Sequence, residues 1–313
     1  METFFEHVKA GLSQKPKKLS SRYFYDSRGD VLFQQIMRME EYYLPACEMN
    51  IIKDKSNHIA RDISKTHKAI QVVELGAGDG SKTKYFLEQF KPFFEIIEYK
   101  ALDISKNILD ANKQQIETFV SNIQWTGVPG NYFQTYKTLE PTTKGRLVLF
   151  LGANIGNYTK EGAIDLFKFI KSQLKPDDFI LISFDLVKNP RKIIKAYDDS
   201  KGITKAFNMN LLERMNRELG ANFDVSAFEH FPFYNPLTGI TSSQIISLKK
   251  QTVRFSDDFE VHFEAFEAIH TEISKKYYLS DISDLANESG LQLYETYFDD
   301  NKEYAFGLFQ PKE

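Results

Sequence analysis

Gly76, Gly78 and Gly80 fall within the five positions Gly76-Ala77-Gly78-Asp79-Gly80, directly behind the apolar run Ala69–Leu75. Glycine reaches positive φ without steric cost and has no Cβ to keep a ligand off the backbone, so such a turn can cradle a small molecule. Asp103 stands 27 positions beyond Gly76, at the end of the next apolar run. A carboxylate there can accept hydrogen bonds from both hydroxyls of a ribose. Strand, glycine turn, helix, strand and terminal acid, in that order, point to a bound nucleoside. Dinucleotide sites usually space their glycines G-x-G-x-x-G, which brings a pyrophosphate to the helix amides. Here the spacing is G-x-G-x-G, followed by Lys82. A lysine in a first helical turn opposes the helix dipole and gains most if it meets a ligand carboxylate. S-adenosylmethionine, a nucleoside with an amino-acid tail and no phosphate, fits these residues; a nicotinamide dinucleotide is the weaker alternative.

A repeating scaffold must hold these residues. Short apolar runs at 69–75, 95–102, 123–125, 147–151 and 179–184 alternate with amphipathic stretches that start near Ser81, Ser105 and Thr159, each able to cap a helix. This alternation predicts parallel βαβ units in a doubly wound sheet, whose right-handed crossovers bring the ligand-bearing strand ends to one edge. Runs at 291–298 and 304–310 flank Asp299-Asp300-Asn301-Lys302 and predict a C-terminal antiparallel hairpin. The predicted class is therefore α/β, Rossmann-like, with a mostly parallel sheet. Before it, residues 1–60 read as helical, with helices over 30–39 and 47–63 separated by Glu41-Tyr42-Tyr43-Leu44-Pro45, where Pro45 breaks the pattern. After Asn189-Pro190 the alternation stops. A helix over 203–219 ends at Gly220, β-rich stretches follow at 245–255 and 260–269, and a short helix lies near 281–289. The expected organisation is a helical cap over 1–60 that contributes to the active site, a nucleoside-binding core over 61–190 and 280–313, and an inserted α+β substrate subdomain over 191–279.

Further motifs make the chain resemble a specific family. They are Phe24-Tyr25-Asp26-Ser27-Arg28-Gly29, Glu41-Tyr42-Tyr43, Glu74-Leu75-Gly76-Ala77-Gly78, Gly152-Ala153-Asn154-Ile155-Gly156-Asn157, Asp185-Leu186-Val187-Lys188, Ala196-Tyr197-Asp198-Asp199, Ala206-Phe207-Asn208-Met209-Asn210, Asn216-Arg217-Glu218-Leu219-Gly220-Ala221 and Thr271-Glu272-Ile273-Ser274. In this order they resemble the ergothioneine-pathway histidine Nα-methyltransferases, relatives of the fungal ergot N-methyltransferases. The resemblance implies a class I methyltransferase fold and successive methylation of the α-amine of histidine to the betaine hercynine. It also implies that Tyr25, Gly76, Gly78, Lys82, Asp103, Asn131 and Tyr132 hold the cofactor, and that Asn157 and Tyr197, with Tyr25 beside the shared cavity, serve the reacting amine. Tyr42 would hold the substrate carboxylate, Gly152 would line the site, and Glu272 and Ser274 would read the imidazole.

Three departures bear on those implications. Asn131 stands where the family often has an acid for the adenine amine. Leu44-Pro45-Ala46 replaces Pro-Thr-Arg behind the tyrosine pair, and Thr241-Ser242-Ser243-Gln244 replaces a commonly Met-containing stretch that lines the side-chain pocket. Methylation of another amino acid, or of a modified histidine, therefore stays open. So does a non-catalytic protein that binds adenosylmethionine or an amino acid. Net charge -3, with Lys15-Pro16-Lys17-Lys18 the only basic cluster, speaks against nucleic acid. The single Cys47 permits no intrachain disulfide, and the six histidines lack metal-ligand spacing. With no charged-then-apolar leader at Met1 and no apolar run of spanning length, the sequence predicts a cytoplasmic enzyme without metal, membrane anchor or obligate protein partner.

Overall fold

The computed structural model describes residues 3–256 and 258–312. Its strands in chain order are β1 (Lys17–Lys18), β2 (Ala69–Leu75), β3 (Ile96–Asp103), β4 (Gln124–Pro129), β5 (Gly145–Phe150), β6 (Phe179–Asp185), β7 (Phe228–Asn235), β8 (Ile240–Ser247), β9 (Gln251–Arg254), β10 (Glu260–Phe263), β11 (Ala268–Lys275), β12 (Leu291–Phe298) and β13 (Tyr304–Pro311). The chain divides into two compact units, Met1–Tyr43 with Lys188–Lys275, and Leu44–Val187 with Lys276–Glu313.

The second unit holds a seven-stranded sheet in the order β12-β13-β6-β5-β2-β3-β4. β2 to β6 are mutually parallel, and β13 runs antiparallel to both β6 and β12, so the sheet ends in the expected hairpin. Strand order reverses between β2 and β5, which makes the C-terminal ends of these strands the binding edge of such a sheet. β2, β5 and β6 are buried almost throughout, as expected of strands covered on both faces. On one face Val148, Ile180 and Ile182 pack with Ala163, Phe167 and Ile170 of helix Lys160–Lys171 and with Ile282 and Leu285 of helix Leu279–Glu288. Ser105 and Thr159 cap their helices as the sequence predicts, accepting from the amides of Ile108 (3.3 Å) and Gly162 (3.2 Å). The helix behind the glycine turn starts at Thr83 rather than near Ser81, because Asp79 takes the Ser81 amide (3.0 Å) in a local turn. Pro45 does not break a helix; it lies in the first turn of Leu44–Ser64, where a missing N–H costs nothing. That helix clusters with the second unit, so the division falls at Tyr43 rather than at residue 60.

Opposite the binding edge, at the N-terminal strand ends, Arg146 is 4% exposed and every guanidinium nitrogen has a partner. Nε donates to Gln71 Oε1, and the other two nitrogens donate to the carbonyls of Gln173 and Glu140, all at 3.0 Å.

In the first unit, β1-β11-β8-β7 form one sheet and β9 pairs with β10. Phe207, Leu211 and Met215 of helix Ile203–Leu219 join a core with Phe228, Ile245 and Ile269. The helix ends at Gly220 with φ 58°, as the sequence predicts. The stretch at 245–255 is not one strand: Leu248-Lys249-Lys250 separates β8 from β9, which lie in different sheets. β7 is absent from the sequence reading because Pro232 interrupts its run; the strand is tolerated because it lies at a sheet edge and pairs only with β8.

Where the second unit's chain breaks off and resumes, its two ends are fastened together. Leu186 bridges Tyr277, whose carbonyl accepts from Val187 N–H (3.0 Å) and whose N–H donates to the Asp185 carbonyl (2.9 Å). The Lys276 ammonium pairs with the Asp185 carboxylate at 2.8 Å, both fully buried. No helix among the described residues is long and apolar enough to cross a membrane.

Candidate functional site

In the second unit the turn after β2 is fixed by its own amides. Gly76 and Ala77 donate to the Leu102 carbonyl (2.8 and 3.0 Å), and Asn112 holds the Gly78 carbonyl (3.1 Å). Gly76 and Gly78 have φ 74° and 57°, and a Cβ built on either would meet no atom within 4 Å. Open space therefore lies over both, as a ligand cradle requires. Gly80 differs: a Cβ there would sit 3.0 Å from Asn112, so its lack of a side chain serves packing.

Asp103 ends β3 beside this turn, accepting from Gly78 N–H (3.1 Å) and Ser105 N–H (3.0 Å), one on each oxygen. Each oxygen keeps a lone pair for a ligand hydroxyl. Below the turn Glu74 accepts from Thr83 Oγ1 (2.9 Å) and Tyr99 Oη (2.6 Å). Burial outweighs these donors and lifts its carboxyl to about 7.

Lys82 meets the carboxylate of Glu48, which is 1% exposed and also accepts from Gly152 N–H (2.6 Å) and Tyr304 Oη (3.0 Å). Gly152 and Ala153 adopt φ 80° and 53°, turning the chain from β5 into the single 3-10 turn Asn154–Asn157. Left-handed backbone at a non-glycine residue is costly and tends to mark functional loops. Asn157 is exposed, and among the described residues its carboxamide has no hydrogen-bond partner. Asn131 follows Gly130, whose N–H donates to the Asp103 carbonyl (2.9 Å); its own side chain caps Phe133 N–H (2.9 Å). The Tyr132 hydroxyl pairs with that of Tyr158 at 2.8 Å. The open glycine turn, the Asp103 carboxylate with acceptor capacity left on each oxygen and the Lys82 ammonium suit a nucleoside that carries an amino-acid tail.

In the first unit β11 carries Glu272 and Ser274. A bulge between His270 and Glu272 resets the register, so that Glu272 lies opposite Ser243 and Ser274 opposite Thr241. Directly opposed residues of an antiparallel pair share a face, which gathers these four polar side chains into one patch. The patch is anchored by the bulged residue, whose Thr271 Oγ1 donates to the Ser243 carbonyl (2.9 Å). The Tyr25 ring meets Phe33 and Phe207 edge-on at 5.3 and 5.6 Å. Desolvation around its hydroxyl, then the nearby charges of Glu272 and Asp30, push the phenol above its ordinary value, so it acts as a neutral hydrogen-bonding group. Tyr42 is half-buried against the same core, and Tyr197 is buried just beyond helix Pro190–Lys195.

Comparison with known proteins decides what these parts belong to. Residues 4–311 match the family described as histidine-specific methyltransferase, SAM-dependent. The chain belongs to that family. It is similar to the histidine N-alpha-methyltransferase of Mycolicibacterium smegmatis, with 34% identity over 93% of this chain and 89% of that protein. It is also similar to ergothioneine biosynthesis protein 1 of Schizosaccharomyces pombe, with 30% identity over 81% of this chain but only 34% of that longer protein. Among solved structures, the magnesium protoporphyrin IX methyltransferase of Synechocystis with bound S-adenosylhomocysteine superposes with TM-score 0.50 at 12% identity, covering 93% of this chain and 98% of that one. At that identity the likeness concerns the fold, a class I methyltransferase fold.

As a member of the histidine-specific methyltransferase family the chain is a methyltransferase whose methyl donor is adenosylmethionine. The second unit carries Gly76, Gly78, Lys82, Asp103, Asn131, Tyr132, Gly152 and Asn157; the first carries Tyr25, Tyr42, Tyr197, Glu272 and Ser274. Within the second unit Glu48 joins Lys82 to Gly152. Sequence reasoning passed over Glu48, which precedes Lys82 by 34 positions and carries no local signal beyond being a carboxylate inside an apolar helical stripe.

Proposed function

We propose that this protein methylates the α-amine of L-histidine successively, giving the trimethylated betaine hercynine. The observation that carries the reading is the pairing of Glu272 and Ser274 on one face of β11 in a chain of the histidine-specific family. An imidazole has one N–H and one bare nitrogen. The Glu272 carboxylate accepts from the first and the Ser274 hydroxyl donates to the second. An indole would leave part of that pair unsatisfied, which a buried polar site penalises. Similarity to the mycobacterial histidine N-alpha-methyltransferase and the fission-yeast ergothioneine biosynthesis protein supports the same reading.

Adenosylmethionine supplies a methyl group on a cationic sulfur. In this reading the open turn at Gly76 and Gly78 admits the nucleoside, Asp103 accepts from its ribose, Lys82 pairs with its carboxylate, and Asn131 and Tyr132 meet its adenine. On the substrate side, this reading assigns the free-base amine to Asn157 and Tyr197, with Tyr25 as a further neutral hydroxyl, the carboxylate to Tyr42, and a substrate contact to Gly152. These groups orient a nitrogen lone pair without adding negative charge, which would stabilise ammonium and slow attack. Residues 1–43 and 188–275 would act as the substrate-recognition part, and the seven-stranded sheet as the cofactor-binding part.

The test is incubation with adenosylmethionine and each of the twenty standard amino acids, read by mass. A histidine product heavier by three methyl groups is expected; methylation of a different amino acid with histidine untouched refutes the reading. In the same assay Glu272→Ala should raise the KM for histidine about 30-fold, the worth of a charge-assisted hydrogen bond, while cofactor affinity stays within about twofold. Equal losses in both would remove Glu272 from substrate recognition.

A further inference from the structure

Glu48 is the least expected charged group of the second unit. It projects from helix Leu44–Ser64 and is 1% exposed, yet it meets donors from three other parts of the chain. One oxygen, Oε2, faces the Lys82 ammonium at the start of the helix behind the glycine turn. The other, Oε1, accepts from Gly152 N–H (2.6 Å) in the turn that leads to Asn157 and from Tyr304 Oη (3.0 Å) at the start of β13. Ala153, next to Gly152, is held separately through its N–H to Ser183 Oγ (2.8 Å). Burial opposes the charge of Glu48, but the Lys82 cation and the two further donors outweigh it and hold the carboxyl below its usual range.

We propose that Glu48 is a positioning residue, whose one carboxylate sets Lys82 for the carboxylate of adenosylmethionine and holds the Gly152 turn that presents Asn157. The proposal rests on the roles given above to Lys82 and Asn157. A lysine ends a flexible four-carbon stem, and fixing it in advance removes an ordering cost from ligand binding. Lys82 has three N–H donors, so a contact with Glu48 leaves others for a ligand. The pair has a second effect. Adenosylmethionine carries more positive than negative charge, and an uncompensated Lys82 would repel its sulfonium; Glu48 cancels that repulsion. S-adenosylhomocysteine has no sulfonium and is indifferent to this part of the balance.

The glutamine variant separates the two arms of the carboxylate. In Glu48→Gln the amide oxygen can still accept from Gly152 and Tyr304, while its NH2 group faces Lys82 and cannot pair with it. Calorimetric titration of Glu48→Gln, Lys82→Gln and the double variant with adenosylmethionine and S-adenosylhomocysteine tests the proposal. Glu48→Gln should lower the melting temperature by no more than about a few degrees and raise the Kd for adenosylmethionine about tenfold, with a smaller change for S-adenosylhomocysteine. The double variant should bind no worse than Lys82→Gln, because both changes remove one interaction. Glu48→Ala, which also deprives Gly152 of its acceptor, should lower kcat at saturating cofactor to about a tenth of the Glu48→Gln value.

Wild-type cofactor affinity in Glu48→Gln, with weakened binding in Lys82→Gln, overturns the proposal and leaves the role of Lys82 intact. Wild-type affinity in Lys82→Gln overturns both. A Glu48→Gln protein that melts far below wild type and binds both cofactor forms equally less well reports a merely structural carboxylate, which also overturns the proposal.

Discussion

The two ends of the seven-stranded sheet hold Arg146 and Lys82 in opposite ways. At the N-terminal ends Arg146 is buried with all three guanidinium nitrogens occupied, and the neighbouring Glu98 takes both Gln71 (3.0 Å) and Lys144 (2.6 Å). At the C-terminal ends Lys82 is part-exposed and, among the described residues, pairs with Glu48 alone and Asn157 has a free carboxamide, while open space stands over two glycines. Saturated polar groups hold a fold together; unsaturated ones beside open space await a ligand. The same strands thus supply a stabilising end and a candidate binding end, and substitutions at the two should separate stability from binding.

The largest effect belongs at the closed end. Arg146→Met leaves Gln71 and two carbonyls without their donor and should cost about 3–5 kcal/mol in urea unfolding, with the KM for adenosylmethionine within about twofold of wild type. A comparable rise in KM would erase the distinction. Glu74 sits between the two behaviours, beneath the open turn but itself buried. Its folded pKa of about 7 lies above its ordinary value of 4.5, so the folded state binds the proton more tightly. That contribution to stability is fully present below about pH 4.5 and is lost as pH rises through 7, about 3 kcal/mol in all. Glu74→Gln should flatten this slope between pH 5 and 8, as unfolding curves at several pH values would reveal; an unchanged slope assigns it to other groups.

At the open end, Gly78→Val places a side chain where φ is 57° and a Cβ would meet no protein atom within 4 Å. Cofactor binding should weaken at least about 100-fold, with about 2–3 kcal/mol of stability lost to a β-branched residue in the left-handed region. Loss of stability without loss of binding would make Gly78 a packing glycine like Gly80. The smallest effect should come from Asn131→Asp. Aspartate still caps Phe133 and is the stronger acceptor for an adenine amine, so the Kd for adenosylmethionine should fall about threefold in the same titrations. No change would remove Asn131 from the adenine contact.

The sequence revealed the open end more readily than the closed one. The caps Ser105 and Thr159 act within a few residues of themselves, and the glycine turn and Asp103 close successive strands of one βαβ unit, so their types and spacing disclose them. Glu48 and Arg146 work across the fold, 34 and 75 positions from Lys82 and Gln71, and nothing local marks a carboxylate or guanidinium that folding will bury. β7 was hidden for another reason: Pro232 denies a ladder bond, which only an edge strand can spare, and sequence does not say which strand is at the edge. The resemblance to the family brought forward Tyr25, Tyr42, Tyr197 and Asn157, which no periodicity or spacing would have singled out.

The fastening at Asp185–Val187 and Lys276–Tyr277 has a consequence for protein engineering. The chain departs from the sheet and rejoins it at neighbouring points, locked by a buried ion pair and a bridge. Loop-closure cost grows only slowly with length, so what lies between these anchors can vary in size and sequence without reopening the joint. Residues 188–275, exchanged together with 1–43 because β1 pairs with β11, form a cassette. On the proposed division of roles, a library of such cassettes, joined at 43/44, 187/188 and 275/276, would explore new amino-acid acceptors while the last two of these joints stay clamped.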